Sequence, residues 1–465
     1  MGSGSTWRRP SDGKLVINWS ENYCCAPATA AGRRPQPTQC GGSAGLCQHI
    51  HFATSSNGLV WERVPADTFE PDMRWYATNF SATQEARWDT INTLPKEDGS
   101  GLWGYWTASP LSGNGAGFGE TVGGSLTKWR ALPPVLGLGG EVGAVARIGG
   151  RVWAIAHGVL GVADNATGPF GPPARNPNLC SDSFGVFFAR FWPVHNDPEG
   201  TVLVSHQHCA VPGGYHTSPV CHLGLLKQAK LNARGALQAV WWPRNDRLRG
   251  EPIPLRLSAS IADGLAMLQP LSHPPPNDIF DGPGPGQFEL RGSGVMIEGS
   301  ILRAGSAGNV TWFVECVPNG TSPRDGGSSV HMDGFGVAWA GATQTFEAGP
   351  ISRLGHFRKD MGDSAPWATF DRDMRLPADA TASWKLLLRS FRGDASAPSY
   401  MPISTSPGYT MAELFIDDVM MQPVTLPCLA SGAVGIRGGS GPAKRRVRRA
   451  GAAAGEYVVA HYLTL

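Results

Sequence analysis

The sequence predicts an all-β chain, a five-bladed β-propeller followed by a jelly-roll-like β-sandwich. Three observations lead there. Short apolar strands joined by glycine turns recur about every 40–50 residues over the first 260 or so, a spacing that suits propeller blades. A proline- and glycine-rich stretch, SHPPPNDIFDGPGPGQ (272–287), then interrupts them. Beyond it the strands lengthen and alternate, as in FELRGSGVMIEGSILRA, NVTWFVECV, SWKLLLRSF and MAELFIDDVMMQPVTLP, the style of a two-sheet sandwich. No convincing amphipathic helix breaks either series.

Taken in order, the opening Met1-Gly2-Ser3-Gly4-Ser5-Thr6 reads as a linker or artificial start, and it also fits the short myristoylation pattern. A targeting peptide is expected to have been removed, or the N-terminus to be incomplete. The repeating phrases follow: GKLVINWS (13–20), HIHFATSSNGLVWERVP (49–65), GLWGYWTASP (101–110), FGETVGGSLTKWRALPP (118–134), VGAVARIGGRVWAIAHG (142–158), GVFFARFWP (185–193) and GTVLVSHQH (200–208). Their D-G and I-G-G steps read as hairpin turns. Residues 24–47, rich in Ala, Gly, Pro and Arg, read as a surface insertion carrying Cys24, Cys25, Cys40 and Cys47. The expected domains are a propeller over 1–271, a linker over 272–287 and a sandwich over 288–465. The run KRRVRRAGAAAG (444–455) reads as a solvated loop.

Composition narrows the function classes. With 465 residues, 41% hydrophobic and 16% charged, the chain is globular and large enough for two cores. A net charge of +2 argues against nucleic acid or an anionic membrane as partner. No apolar run approaches the roughly 20 residues of a membrane span. The cysteine count, nine, is odd, so at least one is unpaired within the chain. Cys209 and Cys221 bracket AVPGGYHTSPV and are expected to form a disulfide. Together with sequons at Asn18, Asn79, Asn165, Asn309 and Asn319, this leans towards a secreted or extracytoplasmic, glycosylated protein. The stretch SHQHCAVPGGYHTSPVCH holds His206, His208, Cys209, His216, Cys221 and His222. These residue types suit zinc, but the spacing matches no usual zinc module. No metal and no other cofactor is expected.

Two phrases carry the chemistry. ARWDTINTLPKEDGSGLWGYW (86–106) has an aspartate entering a strand. GGEVGAVARIGGRVWAIAHG (139–158) has a glutamate before a strand and an I-G-G hairpin. With HFATSSNGLVWERVP and the late strand AELFIDD (412–418), they resemble glycoside hydrolase family 32, the invertases, inulinases and fructosidases, and its propeller relatives of family 43. Thr90 stands where the family's first motif has Pro, and Trp88 where it has Arg. Val142 and Gly143 replace the Cys and Pro of the second. The resemblance is therefore to a divergent relative.

The resemblance implies that Glu141 is the general acid and that Asp89 orients sugar hydroxyls and tunes it. Glycosidic cleavage needs an acid for the leaving oxygen and a second carboxylate as nucleophile or base, so both carboxyls should lie within about 10 Å in one funnel. The nucleophile is unknown. Counting back from Gly13 to its place in the family lands among Gly4, Ser5 and Thr6, and Asp12 and Glu21 are the acidic substitutes nearby. His49, His51, Trp88 and Arg190 are the expected substrate-binding residues. Three functions stay open: a glycoside hydrolase or transglycosidase acting on an oligosaccharide or polysaccharide, a carbohydrate-binding propeller that has lost its nucleophile, and an extracellular interaction scaffold.

Overall fold

The computed structural model describes residues 4–9, 12–24, 46–78, 87–156, 158–174, 179, 186–194, 197–209, 221–260, 265–270, 294–302, 309–316, 334–340, 345–351, 368–371, 381–391, 409–426, 430–438 and 458–463. They are nearly all strand, and the helical turns among them, Pro65–Asp67 and Pro243–Leu248, are 3-10. The chain forms two compact units, Met1–Leu179 with Phe188–Val202 and Cys180–Phe187 with Leu203–Leu465.

The first unit is a series of antiparallel meanders. Strands β1 (Gly4–Arg8), β2 (Leu15–Cys24), β3 (Leu46–Ser55) and β4 (Glu62–Arg63) make the first sheet. The second holds β5 (Trp88–Pro95), β6 (Leu102–Ala108), β7 (Gly115–Thr121) and β8 (Trp129–Leu136). The third holds β9 (Val142–Ile148), β10 (Arg151–Ala156) and β11 (Val159–Ala163). The I-G-G step closes β9 onto β10 with Ile148 opposite Arg151, and Gly149 and Gly150 both take positive φ. A two-residue turn of this hand requires that conformation, and glycine adopts it without a Cβ penalty.

Polar side chains stitch successive meanders together. Asn18 Nδ2 donates to the carbonyls of Ser5 (3.1 Å) and Ile91 (3.2 Å), while its Oδ1 accepts from Ile91 N at 2.8 Å. Asn92 Nδ2 donates to the Val142 carbonyl at 3.0 Å, and Val142 N donates to Thr107 Oγ1 at 3.1 Å. Asn18 is fully buried by these contacts, which corrects the reading of its sequon: the amide has no path to a glycan in the folded chain. Asn165 is exposed.

Apolar packing fills the spaces between sheets. Val16, Ile50, Phe52, Phe69, Tyr76, Trp88, Ile91 and Trp106 share one core, and Leu94, Tyr105, Phe118, Val145, Val152 and Phe170 share another. Each large side chain so buried contributes about 1.5–3 kcal/mol. Gly117 permits close packing here, because a Cβ there would overlap the Trp106 indole.

Strand β12 (Val186–Pro193) leads on to the second unit. There β13 (Val202–Cys209), β14 (Cys221–Leu223), β15 (Lys227–Leu231) and β16 (Leu237–Trp241) are followed by β17 (Arg249–Ile253), β18 (Leu255–Ser260) and β19 (Leu265–Pro270). The later strands are β20 (Val295–Leu302), β21 (Asn309–Cys316), β22 (Gly334–Ala340), β23 (Thr345–Ile351), β24 (Ala368–Asp371), β25 (Thr381–Phe391), β26 (Tyr409–Ile416), β27 (Val419–Leu426), β28 (Ala430–Gly438) and β29 (Val458–Leu463). One sheet runs β18-β19-β28-β21-β22-β23-β24, and the other includes β16-β27-β26-β25-β20-β29-β17. Trp312 of β21 meets Trp384 of β25 edge-on with centroids 6.2 Å apart, so the sheets pack face to face.

Strands β17 and β19 pair with β29 and β28, close to the C-terminus, so the chain enters the sandwich sheets by residue 249. The compact units thus divide the chain elsewhere than the limits expected at 271 and 288. The linker 272–287, the interior of the insertion (25–45) and the basic run lie outside the described residues. Cys209 and Cys221 stand opposite each other in the β13–β14 ladder, while their side chains lie outside the described residues.

Candidate active site

Three side chains from two elements converge on one cluster in the first unit. Arg87 precedes β5, Asp89 lies within it, and Glu141 immediately precedes β9. Side chains alternate along an extended segment, so Arg87 and Asp89 emerge on one side and Trp88 on the other. The Arg87 Nη2 donates to Asp89 Oδ2 at 2.9 Å and lies 3.4 Å from Glu141 Oε1. One guanidinium nitrogen therefore touches both carboxylates. Their oxygens can stand no farther apart than those two distances end to end. Ser20 Oγ of β2 donates to the other Asp89 oxygen, Oδ1.

The cluster is graded from closed to open. The Asp89 side chain is 7% exposed, Glu141 17% and Arg87 28%. Asp89 is thus held by fixed donors, while Glu141 and Arg87 keep part of their surface towards solvent. Arg190 of β12 adds a second cation nearby. A Cβ on Gly143 would lie 2.5 Å from its Nη1, so glycine at this position lets the guanidinium approach the start of β9. This gives a physical role to one departure from the family pattern.

The remaining expected residues go elsewhere. Trp88 is 1% exposed, its Nε1 donates to the Phe69 carbonyl at 3.0 Å, and its ring packs on Phe69, Tyr76 and Trp106. The expectation that Trp88 binds substrate is therefore corrected: alternation turns it into the core. Gln48 and Ile50 take the face of β3 towards β5, Gln48 Oε1 accepting from Trp88 N at 2.7 Å. His49 and His51 take the other face. His49 Nδ1 lies 3.5 Å from Glu70, and His51 lies 3.3 Å from Thr68 Oγ1 and 3.9 Å from Glu21. Their described partners are not Asp89 or Glu141.

The substitute acids also stand apart. Asp12 pairs with Arg9 in the first hairpin, which lowers its carboxyl to about 2. Glu21 pairs with Arg63 and accepts from Trp19 Nε1 at 2.7 Å. On β1, Ser5 Oγ donates to the Ile91 carbonyl and accepts from Asn18 Nδ2 at 2.7 Å. Arg87 is the residue that sequence reasoning missed. Its signal was the i, i+2 relation to Asp89, hidden because the comparison with the family motif put Trp88 in the arginine's place.

This architecture, meanders of a propeller followed by a two-sheet sandwich, has known counterparts. A family 32 β-fructofuranosidase of Bombyx mori superposes with a TM-score of 0.54 at 10% identity, over 99% of this chain and 79% of that one. A family 32 glycoside hydrolase of Bifidobacterium adolescentis gives 0.52 at 9%, over 100% and 69%. A β-fructofuranosidase of Aspergillus kawachii gives 0.50 at 10%, over 99% and 81%. No family model matches the chain, and no curated protein matches it in sequence. The chain is an all-β protein whose fold, propeller-type meanders followed by a β-sandwich, is similar to that of the family 32 enzymes.

Proposed function

We propose that the chain is a glycoside hydrolase or transglycosidase acting on an oligosaccharide or polysaccharide, with its chemistry at Asp89 and Glu141. The observation that carries this reading is the Arg87 bridge, which gathers two carboxylates from successive meanders beside partly open surface. Glu141, the more exposed of the two, delivers a proton to the leaving oxygen. Asp89, fixed by Arg87 and Ser20, accepts sugar hydroxyls and orients the ring. Arg190 adds a donor for hydroxyl or carboxyl groups of the sugar. The fold shared with fructofuranosidases adds to the reading as an analogy of architecture.

A second reading has its own observation. The first strand presents Gly4, Ser5 and Thr6, none of them acidic and Ser5 committed to Asn18 and the Ile91 carbonyl, where the family resemblance calls for a nucleophilic aspartate. A carbohydrate-binding propeller without turnover fits that strand. Sugar release from a panel of fructans, arabinans and galactans separates the two. The enzyme reading expects release by the wild-type chain and a loss of about 10²-fold or more in Asp89→Asn. Binding of a panel member without release establishes the second reading instead.

A further inference from the structure

A second side-chain cluster lies in the other unit. His206 and His208 of β13, Lys227 of β15 and Glu413 of β26 meet in a space closed to solvent, and all four are buried. His206 Nε2 lies 3.1 Å from His208 Nε2 and 2.8 Å from Glu413 Oε1, and His208 Nε2 lies 3.3 Å from the same oxygen. These three atoms form a nearly equilateral triangle. Donor atoms about 2.0–2.1 Å from a tetrahedral zinc ion stand about 3.3 Å from one another. The triangle is one face of such a tetrahedron, drawn in by a few tenths of an ångström.

A cationic side chain stands beside two of these three atoms. Lys227 Nζ lies 2.7 Å from Glu413 Oε1 and 3.2 Å from His206 Nε2. The ammonium holds the place where the charge of a cation is wanted. Glu413 keeps one further acceptor: among the described residues its buried Oε2 has no hydrogen-bond partner. A purely hydrogen-bonded core would be expected to use both oxygens. The site is also kept clear by its neighbours, because a Cβ on Gly224 would overlap Glu413 Oε1 and His206 Nε2.

We propose that His206 Nε2, His208 Nε2 and Glu413 Oε1 bind a single divalent transition-metal ion of the zinc class, with the Lys227 amine as fourth ligand. The protons balance as follows. The ammonium and a dication cannot share so small a space, so Lys227 releases one proton to solvent and turns its lone pair to the ion. Any ring proton on an Nε2 moves to Nδ1 without net release. The donors are neutral imidazoles, a carboxylate and an amine, a borderline set that suits zinc or cobalt better than calcium or magnesium. A closed site loads while the chain folds, so the ion belongs to the structure of the second unit and takes no part in turnover.

The test is metal content after production of the chain in medium supplemented with Zn²⁺ or Co²⁺ and a chelator wash of the folded protein. The wild-type chain should retain about one ion per molecule. The cobalt form should show the intense visible bands of four-coordinate Co²⁺. His206→Ala and Glu413→Gln should each hold at least about tenfold less metal. Lys227→Ala should keep its ion, with water replacing the amine. Wild-type protein that emerges without metal overturns the proposal, as does His206→Ala retaining the wild-type content. If the variants fail to fold, the wild-type content and cobalt spectrum decide it alone.

Discussion

Two clusters in this chain set a cation against a carboxylate, and they differ in what surrounds them. At Arg87–Asp89–Glu141 the cation bridges two acids and the exposure rises from 7% to 28% across the group. At Lys227–Glu413–His206–His208 one acid meets three nitrogen-bearing side chains, and none of the four residues is more than 2% exposed. Water lowers the cost of separating charge in the first and cannot reach the second. The open cluster can exchange its protein contacts for a ligand's hydroxyls. The closed one can exchange only a proton or an ion. Charge pairing alone therefore does not mark a catalytic site.

The largest difference should appear in stability. In the metal-free chain, Glu413→Gln leaves the Lys227 ammonium buried without its counter-charge and should cost about 3–5 kcal/mol of unfolding free energy. Asp89→Asn keeps a hydrogen-bonding amide beside a partly solvated guanidinium and should cost about 1 kcal/mol. Denaturant titration of both variants checks the contrast, and equal losses would erase it.

Trp88→Ala should cost about 3–5 kcal/mol, as expected for an aromatic removed from a filled core. If Trp88 instead stacked on sugar, the variant would stay stable and lose affinity, which calorimetric ligand titration would reveal.

The pH dependence of stability sharpens the same contrast. In the metal-free chain burial and Lys227 hold His206 down at about 3. Burial alone would raise the Glu413 carboxyl, but Lys227 and the two imidazoles outweigh it and hold it well below the usual carboxylate range. Both groups bind fewer protons folded than unfolded as pH falls from about 6.5 towards 3, so unfolding free energy should drop across that window. His206→Gln should flatten the upper part of the slope, from about 6.5 to 5, where the carboxylates are still ionised. An unchanged slope in that variant would contradict the assignment.

The smallest effect belongs to Gly143→Ala. Its methyl group would meet the flexible end of Arg190 and also the Ala189 carbonyl at 3.1 Å, so stability should fall by about 1 kcal/mol. Displacing the guanidinium should weaken sugar binding severalfold, measured as a rise in KM or Kd.

How much of this was legible in the sequence differs by distance along the chain. The Ile148-Gly149-Gly150 hairpin was readable because its geometry is local. The expected lengthening of the later strands was not found, since β2 and β3 already run to ten residues. Arg87 was readable in principle, through its two-residue offset from Asp89, and alternation would equally have turned Trp88 inward. The ring of Glu413 around His206 and His208 was not readable, because more than two hundred residues separate them and no local spacing encodes that approach. The pairing of β17 with β29 and of β19 with β28 was hidden for the same reason.

The central claim is that Glu141 donates the proton to the departing sugar oxygen. Its most direct test compares Glu141→Gln with the wild-type chain on two substrates of the same sugar, a natural oligosaccharide and an activated aryl glycoside. The account predicts a fall of about 10²–10⁴-fold on the oligosaccharide, the usual worth of a positioned acid, with binding retained. The aryl glycoside, whose leaving group needs little protonation, should lose far less. Equal losses on both substrates, or full activity on the oligosaccharide, would contradict it.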